Sequence, residues 1–348
     1  MTKKTLLFFA VLFNFTFIIA QNTLIRLPSI SPDASKMAFS YHGDIWVLDL
    51  ASNQTNRLTI HQAYESNPVW NSKSNQLVFT SNRRGSTNIF KTDLNGGIPN
   101  QLTHYPTTDT PSHWHSNGNI IFSSNRIYKG TERESSIYSI NEKGETPNRF
   151  MTALGSQATI SPNGKFVAFV KGTCRISRED YTGPAQRDIW IYNLKTKEYH
   201  QITTSKNMDH TPLWDEDNNL YYIGAASGRY NIYKTSLNGN GSKNGSQNQL
   251  TNLKVDGVLS FSVSNNGTII YSSGTEVFKT QNGATSKINL NLSLEEINEP
   301  KTYDYKGIKE EEIQPLLVYF ASKLPPKTRN VFLLSRNSKM TYKEIAEE

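Results

Sequence analysis

The chain has 348 residues and a formal net charge of +7, long enough for one large or two modest domains. Apolar residues make up 36% and charged residues 19%, both low, against an aromatic share of 11%. Few charges, many turn formers and many aromatics favour short strands joined by tight turns; they exclude a helical bundle, a coiled coil and an aromatic-poor disordered chain.

Lys3 and Lys4 precede the apolar run Leu6 to Ala20. Residues 1–20 are therefore expected to form a signal peptide, cut after Ala20. An uncleaved membrane anchor is the alternative, although the run is short for a span of roughly 20 residues. The mature protein is expected to be exported, periplasmic or secreted, and free of the membrane after cleavage.

From about residue 22 to 295 one pattern recurs. A polar residue, a β-branched residue and an aromatic come in sequence. They are Asp44-Ile45-Trp46, Asn88-Ile89-Phe90, Ser136-Ile137-Tyr138, Asp188-Ile189-Trp190, Asn231-Ile232-Tyr233 and Glu276-Val277-Phe278. The central residues lie 44, 48, 52, 43 and 45 positions apart. A closing pair keeps the same beat: Leu58-Thr59, Leu102-Thr103, Phe150-Met151, Ile202-Thr203 and Leu250-Thr251. Repeats of about 40–50 residues with four short strands each are the mark of a β-propeller. One four-stranded sheet cannot bury both faces alone, whereas six set radially bury them against each other. The expectation is an all-β fold, a six-bladed propeller of four-stranded blades, with units starting near Ile25, Asn67, Thr110, Gln157, Thr211 and Ser260. A β-sandwich with accidental periodicity is the alternative. Each unit holds its own four strands, so the ring is expected to close by side-chain packing.

Antiparallel order places two sets of loops at opposite ends of the blades. Turns after the first and third strands, such as Asn95-Gly96-Gly97 and Asn163-Gly164, are plain turn formers. The other set carries more chemistry. Its candidate ligand-binding residues are His61, Glu65, Arg83, Arg84, His104, Arg126, Arg175, Arg178 and His210. The loop Lys171–Arg187 of the fourth unit is the longest, and long loops on rigid scaffolds commonly bind. Ordinary solvated loops are the equal alternative.

Other chemistry is thin. There is no Gly-x-Ser-x-Gly elbow, no phosphate-binding loop and no His-Glu-x-x-His. His113 and His115 flank Trp114 on one strand and point to one side. A metal there needs a third ligand, so a hydrogen-bonded pair of channel histidines is expected instead. Cys174 is the sole cysteine and reads as a loop thiol. No catalytic residue, metal or cofactor is expected, and the middle carries no basic stripe for nucleic acid.

Some stretches carry a family resemblance. Ile30-Ser31-Pro32-Asp33 with Gly43-Asp44-Ile45-Trp46-Val47 resembles the first blade of tricorn-type serine peptidases. Ser66-Asn67-Pro68-Val69-Trp70 and Phe79-Thr80-Ser81-Asn82-Arg83 are similar to the second. Cys174-Arg175-Ile176-Ser177-Arg178-Glu179-Asp180-Tyr181 is similar to the long fourth-blade insertion. The resemblance covers roughly 22–292, and the blade motif is shared with TolB-type periplasmic propellers. It implies a propeller that admits or filters peptides for catalytic domains lying further along, none of which is expected here.

Residues 296–309 read as a linker, and 310–348 as a short α-helical tail. Leu324-Pro325-Pro326-Lys327-Thr328-Arg329, Phe332-Leu333-Leu334-Ser335-Arg336 and Thr341-Tyr342-Lys343-Glu344-Ile345-Ala346 resemble the promoter-binding region of extracytoplasmic-function sigma factors. The matching stretch, about 308–348, stops before a recognition helix, so nucleic acid is not an expected partner. The expected function is an exported propeller that binds peptides or a protein partner. Its alternatives are a component of a serine-type proteolytic enzyme whose catalytic part is lost or supplied elsewhere, a TolB-like periplasmic protein-binding propeller, and a sigma-factor-like DNA-binding protein.

Overall fold

The computed structural model describes residues 24–127, 133–290 and 292. The expected signal peptide, the linker and the helical tail lie outside the described residues.

Six antiparallel sheets of four strands follow one another along the chain. Blade 1 holds β1 (Arg26–Ile30), β2 (Lys36–Tyr41), β3 (Asp44–Asp49) and β4 (Thr55–Arg57). Blade 2 holds β5 (Glu65–Trp70), β6 (Gln76–Arg84), β7 (Ser86–Asp93) and β8 (Asn100–Gln101). Blade 3 holds β9 (Asp109–Trp114), β10 (Asn119–Ser124), β11 (Ser136–Asn141) and β12 (Asn148–Leu154). Blade 4 holds β13 (Ser156–Ile160), β14 (Phe166–Lys171), β15 (Asp188–Asn193) and β16 (Tyr199–Gln201). Blade 5 holds β17 (Asp209–Trp214), β18 (Leu220–Gly224), β19 (Asn231–Leu237) and β20 (Lys243–Gln249). Blade 6 holds β21 (Val258–Val263), β22 (Ile269–Ser273), β23 (Glu276–Gln281) and β24 (Ala284–Lys287). This is the six-bladed propeller the repeat implies, and no α-helix occurs among the described residues.

The repeated motif has a physical cause. In every blade the marker aromatic stands directly opposite an aromatic of the preceding strand. The pairs are Phe39 with Trp46, Phe79 with Phe90, Phe122 with Tyr138, Phe169 with Trp190, Tyr222 with Tyr233 and Tyr271 with Phe278. Four of them stack with centroids 5.2–6.2 Å apart. Such cross-strand pairs each contribute roughly 0.5–1.5 kcal/mol beyond their area. The β-branched marker residue is fully buried between blades at Ile45, Ile89, Ile137, Ile189 and Ile232. The closing threonine caps the same residue: Thr59, Thr103, Thr203 and Thr251 each accept its backbone N–H, at 2.9–3.0 Å. Blade 3, with Met151 at that position, runs β12 on to Leu154 instead.

The blades are stitched to their neighbours near the axis. Trp70 Nε1 donates to Ser29 O at 2.9 Å, and Trp214 Nε1 to Thr159 O at 3.3 Å. Blade 6 meets blade 1 through Ile30, Met37 and Phe39 packed with Ile270 and Val277. Two hydrogen bonds reinforce that seam: Ile30 N to Ser262 Oγ (2.7 Å) and Asn265 N to Pro32 O (3.0 Å). Among the described residues no strand is exchanged at the closure.

Candidate functional site: the loop-rich face and its channel

The six inner strands surround a channel of about 1000 Å³. Each inner strand departs from regular register, at Arg26/Ser29, Ser66/Val69, Pro111/His113, Ser156/Thr159, His210/Leu213 and Val258/Ser260. Leu27, Asn67, Gln157 and Thr211 at these bulges have φ of 52–56°. Left-handed backbone at a leucine and a β-branched threonine is strained, and such strain gathers at functional sites. Three of these residues precede proline (Pro28, Pro68, Pro212), as does Thr110 before Pro111. Proline lacks an N–H and suits a strand edge that faces open space. The bulge turns the preceding side chain into the channel, so Leu27, Asn67, Thr110, Gln157, Thr211 and Leu259 line its wall.

The nominated residues divide into groups. Glu65 is fully buried and pairs with Arg83, which also lies over the Phe90 ring at 5.0 Å. Burial pushes the Glu65 carboxyl up against the pull of Arg83. Arg126 repeats this design in blade 3, bonding Asp109 at 2.5 Å and lying 5.1 Å from the Phe122 centroid. These arginines cap the aromatic stacks and neutralise a buried acid. His61 Nδ1 accepts Ala63 N at 2.9 Å, while its own N–H donates to Asp44 Oδ1 at 3.0 Å. Arg84, His104, Arg175 and Arg178 are exposed. The fold thus disperses the set instead of gathering it into one cluster.

His210 is buried at the channel wall, and burial, helped by the Arg187 charge, lowers its pKa to about 3. Its Nδ1 is 2.8 Å from Thr211 Oγ1. His113 and His115 also line the channel, ring centroids 5.9 Å apart. His115 Nδ1 accepts Asn117 N at 3.3 Å. Among the described residues no group of three potential metal ligands occurs.

The Lys171–Arg187 loop folds back onto blade 5. Glu179 accepts from Arg229 Nη1 (2.5 Å) and Tyr230 N (2.9 Å), and Ile176 O accepts from the Tyr230 hydroxyl at 2.7 Å. Cys174 is a buried thiol packed with Met208, Tyr230 and Val258.

Exposed apolar side chains are distributed unevenly. Of ten large ones among the described residues, nine lie on this face: Leu24, Leu27, Ile60, Tyr64, Tyr105, Ile127, Ile176, Val255 and Leu259. The opposite face has Ile98 alone.

Comparison with known proteins decides the family. Residues 22–286 match the model of the tricorn protease N-terminal β-propeller domain. The chain belongs to that family. A crystal structure of the tricorn protease superposes with a TM-score of 0.68 at 15% identity, covering 78% of this chain and 27% of that one. The chain therefore spans about a quarter of the protease it matches. The β-propeller domain of the Trilobed protease from Pyrococcus furiosus, described as having an open velcro topology, matches at TM-score 0.52 and 17% identity. It covers 76% of this chain and 81% of that one. TolB from Acinetobacter baumannii gives TM-score 0.49 and 19% identity over 61% and 51% of the two chains. The family match ends before residues 308–348, and nothing among these matches supports the sigma-factor resemblance there.

Within this tricorn-type propeller, sequence reasoning missed the channel wall. The X-Pro steps inside strands that otherwise read as central were the available signal. Arg187 stands in the sequence only as the end of a loop, and nothing local distinguishes it from Arg175 or Arg178.

Proposed function

We propose that this chain is an exported propeller that binds peptides or a protein partner at its loop-rich face and gates their passage for a tricorn-like proteolytic system. The supporting observation is that nine of ten exposed large apolar side chains among the described residues lie toward the loop-rich ends of the blades, with Leu27, Ile176 and Leu259 lining the channel. Large apolar side chains concentrated on one face favour an interaction surface there. The strained wall residues and the open lumen beneath give an extended chain a place to run. The exposed Arg84, Arg175 and Arg178 add positive charge at the rim.

A second reading is that the chain acts inside a serine-type peptidase whose catalytic part is supplied elsewhere; the match to the tricorn protease N-terminal β-propeller domain favours a proteolytic setting. Incubating the full chain with labelled unstructured peptides separates the two. Saturable binding without cleavage supports the binding role, and turnover would replace it with the enzymatic one. Arg175→Ser with Arg178→Ser is expected to weaken binding severalfold, and unchanged affinity counts against this face.

A further inference from the structure

Among the described residues, Arg187 of the channel wall forms no ion pair. Arg187 closes the blade 4 loop and is half-buried. Its Nε donates to Cys174 O at 2.6 Å, which fixes the guanidinium's direction. No carboxylate among the described residues forms an ion pair with it. The contrast with its neighbours is sharp: Arg57, Arg83 and Arg126, buried to a similar degree, each hold a buried acid. Glu134 favours the Arg187 charge electrostatically, but its carboxylate is engaged by the Gly172 N–H at 2.8 Å. A partly desolvated guanidinium with free N–H groups is an unmet demand for acceptors.

The adjoining wall deepens that demand. His210 Nε2 is buried and has no hydrogen-bond partner. Gln157 Nε2 donates to Thr211 Oγ1 (3.3 Å), and the same hydroxyl shares a hydrogen bond with His210 Nδ1. In either tautomer His210 Nε2 is left without a partner in this wall. Beside Arg187 the wall is apolar. Ile176 is tied to Tyr230 by its carbonyl, and Tyr230 O accepts Val258 N at 2.8 Å, next to Leu259. Ile176 and Leu259 are 36% and 59% exposed.

We propose that Arg187 is a carboxylate-binding subsite in the channel, flanked by Ile176 and Leu259, and that it selects peptides carrying a carboxylate beside an apolar side chain. The inference rests on the peptide-binding reading above and specifies its ligand. Such a carboxylate comes from an acidic side chain or from a chain terminus, and the geometry suits both because each offers the same bidentate acceptor to the guanidinium.

Three labelled peptides test this with the full chain by fluorescence anisotropy. The first has an internal Leu-Glu pair and an amidated end. The second has neutral side chains and a free C-terminal leucine carboxylate. The third is neutral and amidated. At least one carboxylate peptide is expected to bind about tenfold or more tighter than the neutral amide, and the tighter of the two names the source. Arg187→Gln should erase that difference and leave the neutral peptide within about twofold. Leu259→Glu changes an exposed side chain, so it tests the subsite without relying on Arg187's packing; it should repel the carboxylate peptides alone. Equal binding of all three peptides, unaltered by either variant, overturns the subsite and leaves peptide binding standing. No binding by any peptide overturns both.

Discussion

Glu179, in the fourth-blade loop, and Arg229, between the second and third strands of blade 5, are joined at 2.5 Å. The second carboxylate oxygen accepts the Tyr230 N–H. A loop of this length would ordinarily be free to move, but here one carboxylate pins it to the next blade. Its arginine is solvent-exposed, so the pair's contribution to global stability is small. Its effect is local. Glu179→Ala is expected to leave the denaturation midpoint nearly unchanged while trypsin cuts after Arg175 or Arg178 severalfold faster. Cutting at the original rate would show that the loop is held by something else.

The Glu65–Arg83 pair behaves differently because it is buried. Arg83→Ala leaves a carboxylate with no solvent and no counter-charge, a change that costs about 3–5 kcal/mol. Adding Glu65→Gln removes the stranded charge and should recover a substantial part. Arg84→Ala, one residue on and exposed, should stay within about 0.5 kcal/mol. Urea denaturation of the four proteins checks the order. Similar losses for Arg83→Ala and Arg84→Ala would refute the assignment.

That adjacent pair shows where the sequence was legible and where it was not. The blade pattern could be read because each marker aromatic must face another aromatic across two strands, which imposes a fixed spacing on every unit. Even the unshared closure follows from counting strands. Whether an arginine serves the fold or faces a ligand depends on contacts far along the chain. Arg83 meets Glu65 18 residues away and Arg229 meets Glu179 50 residues away. Composition marks all of them alike as basic loop residues. The channel wall was hidden for another reason. Its leucines, threonines and amides are ordinary residue types, and the bulge that turns them inward is a property of backbone register.

Gly172 forms the neck of the long loop. Its φ is +115°, and a Cβ there would lie 1.9 Å from Gln186 O. Because the obstacle is backbone, it cannot swing aside. Gly164 is also left-handed, at φ +68°, but has nothing within 4 Å of a Cβ. Gly164→Ala should therefore cost only the conformational penalty of about 1–2 kcal/mol. Gly172→Ala should cost clearly more, and should open the loop to trypsin as Glu179→Ala does. Equal costs in thermal melts would mean that the neck relaxes freely.

Asp209 occupies in blade 5 the place that Glu65 and Asp109 hold in blades 2 and 3, but its arginine is missing. The Ser-Asn-Arg of those blades is replaced by Gly224-Ala225-Ala226. A Cβ at Gly224 would lie 2.4 Å from Asp209 Oδ1, so glycine makes room for the acid. Its carboxylate accepts the Ser205 hydroxyl at 2.9 Å, and Thr203 also hydrogen-bonds to it. Burial pushes the carboxyl up to about 7, with Ser205 pulling it back. The unfolded chain would titrate near 3.9. The folded state therefore holds this proton more tightly, and the stabilisation is complete below about pH 4 and lost as pH rises through 7. His210 acts in the opposite sense: held neutral, with a pKa of about 3, it contributes stability above about pH 6.5 that falls away as the pH drops. The two trends overlap between pH 4 and 6.5, so the wild-type profile alone does not separate them. The difference between wild type and Asp209→Asn does. Across pH 5–8 it should shift by on the order of 2–3 kcal/mol, with the variant gaining relative stability at the alkaline end. A difference that stays flat over that range in chemical denaturation would place the Asp209 carboxyl at its ordinary value.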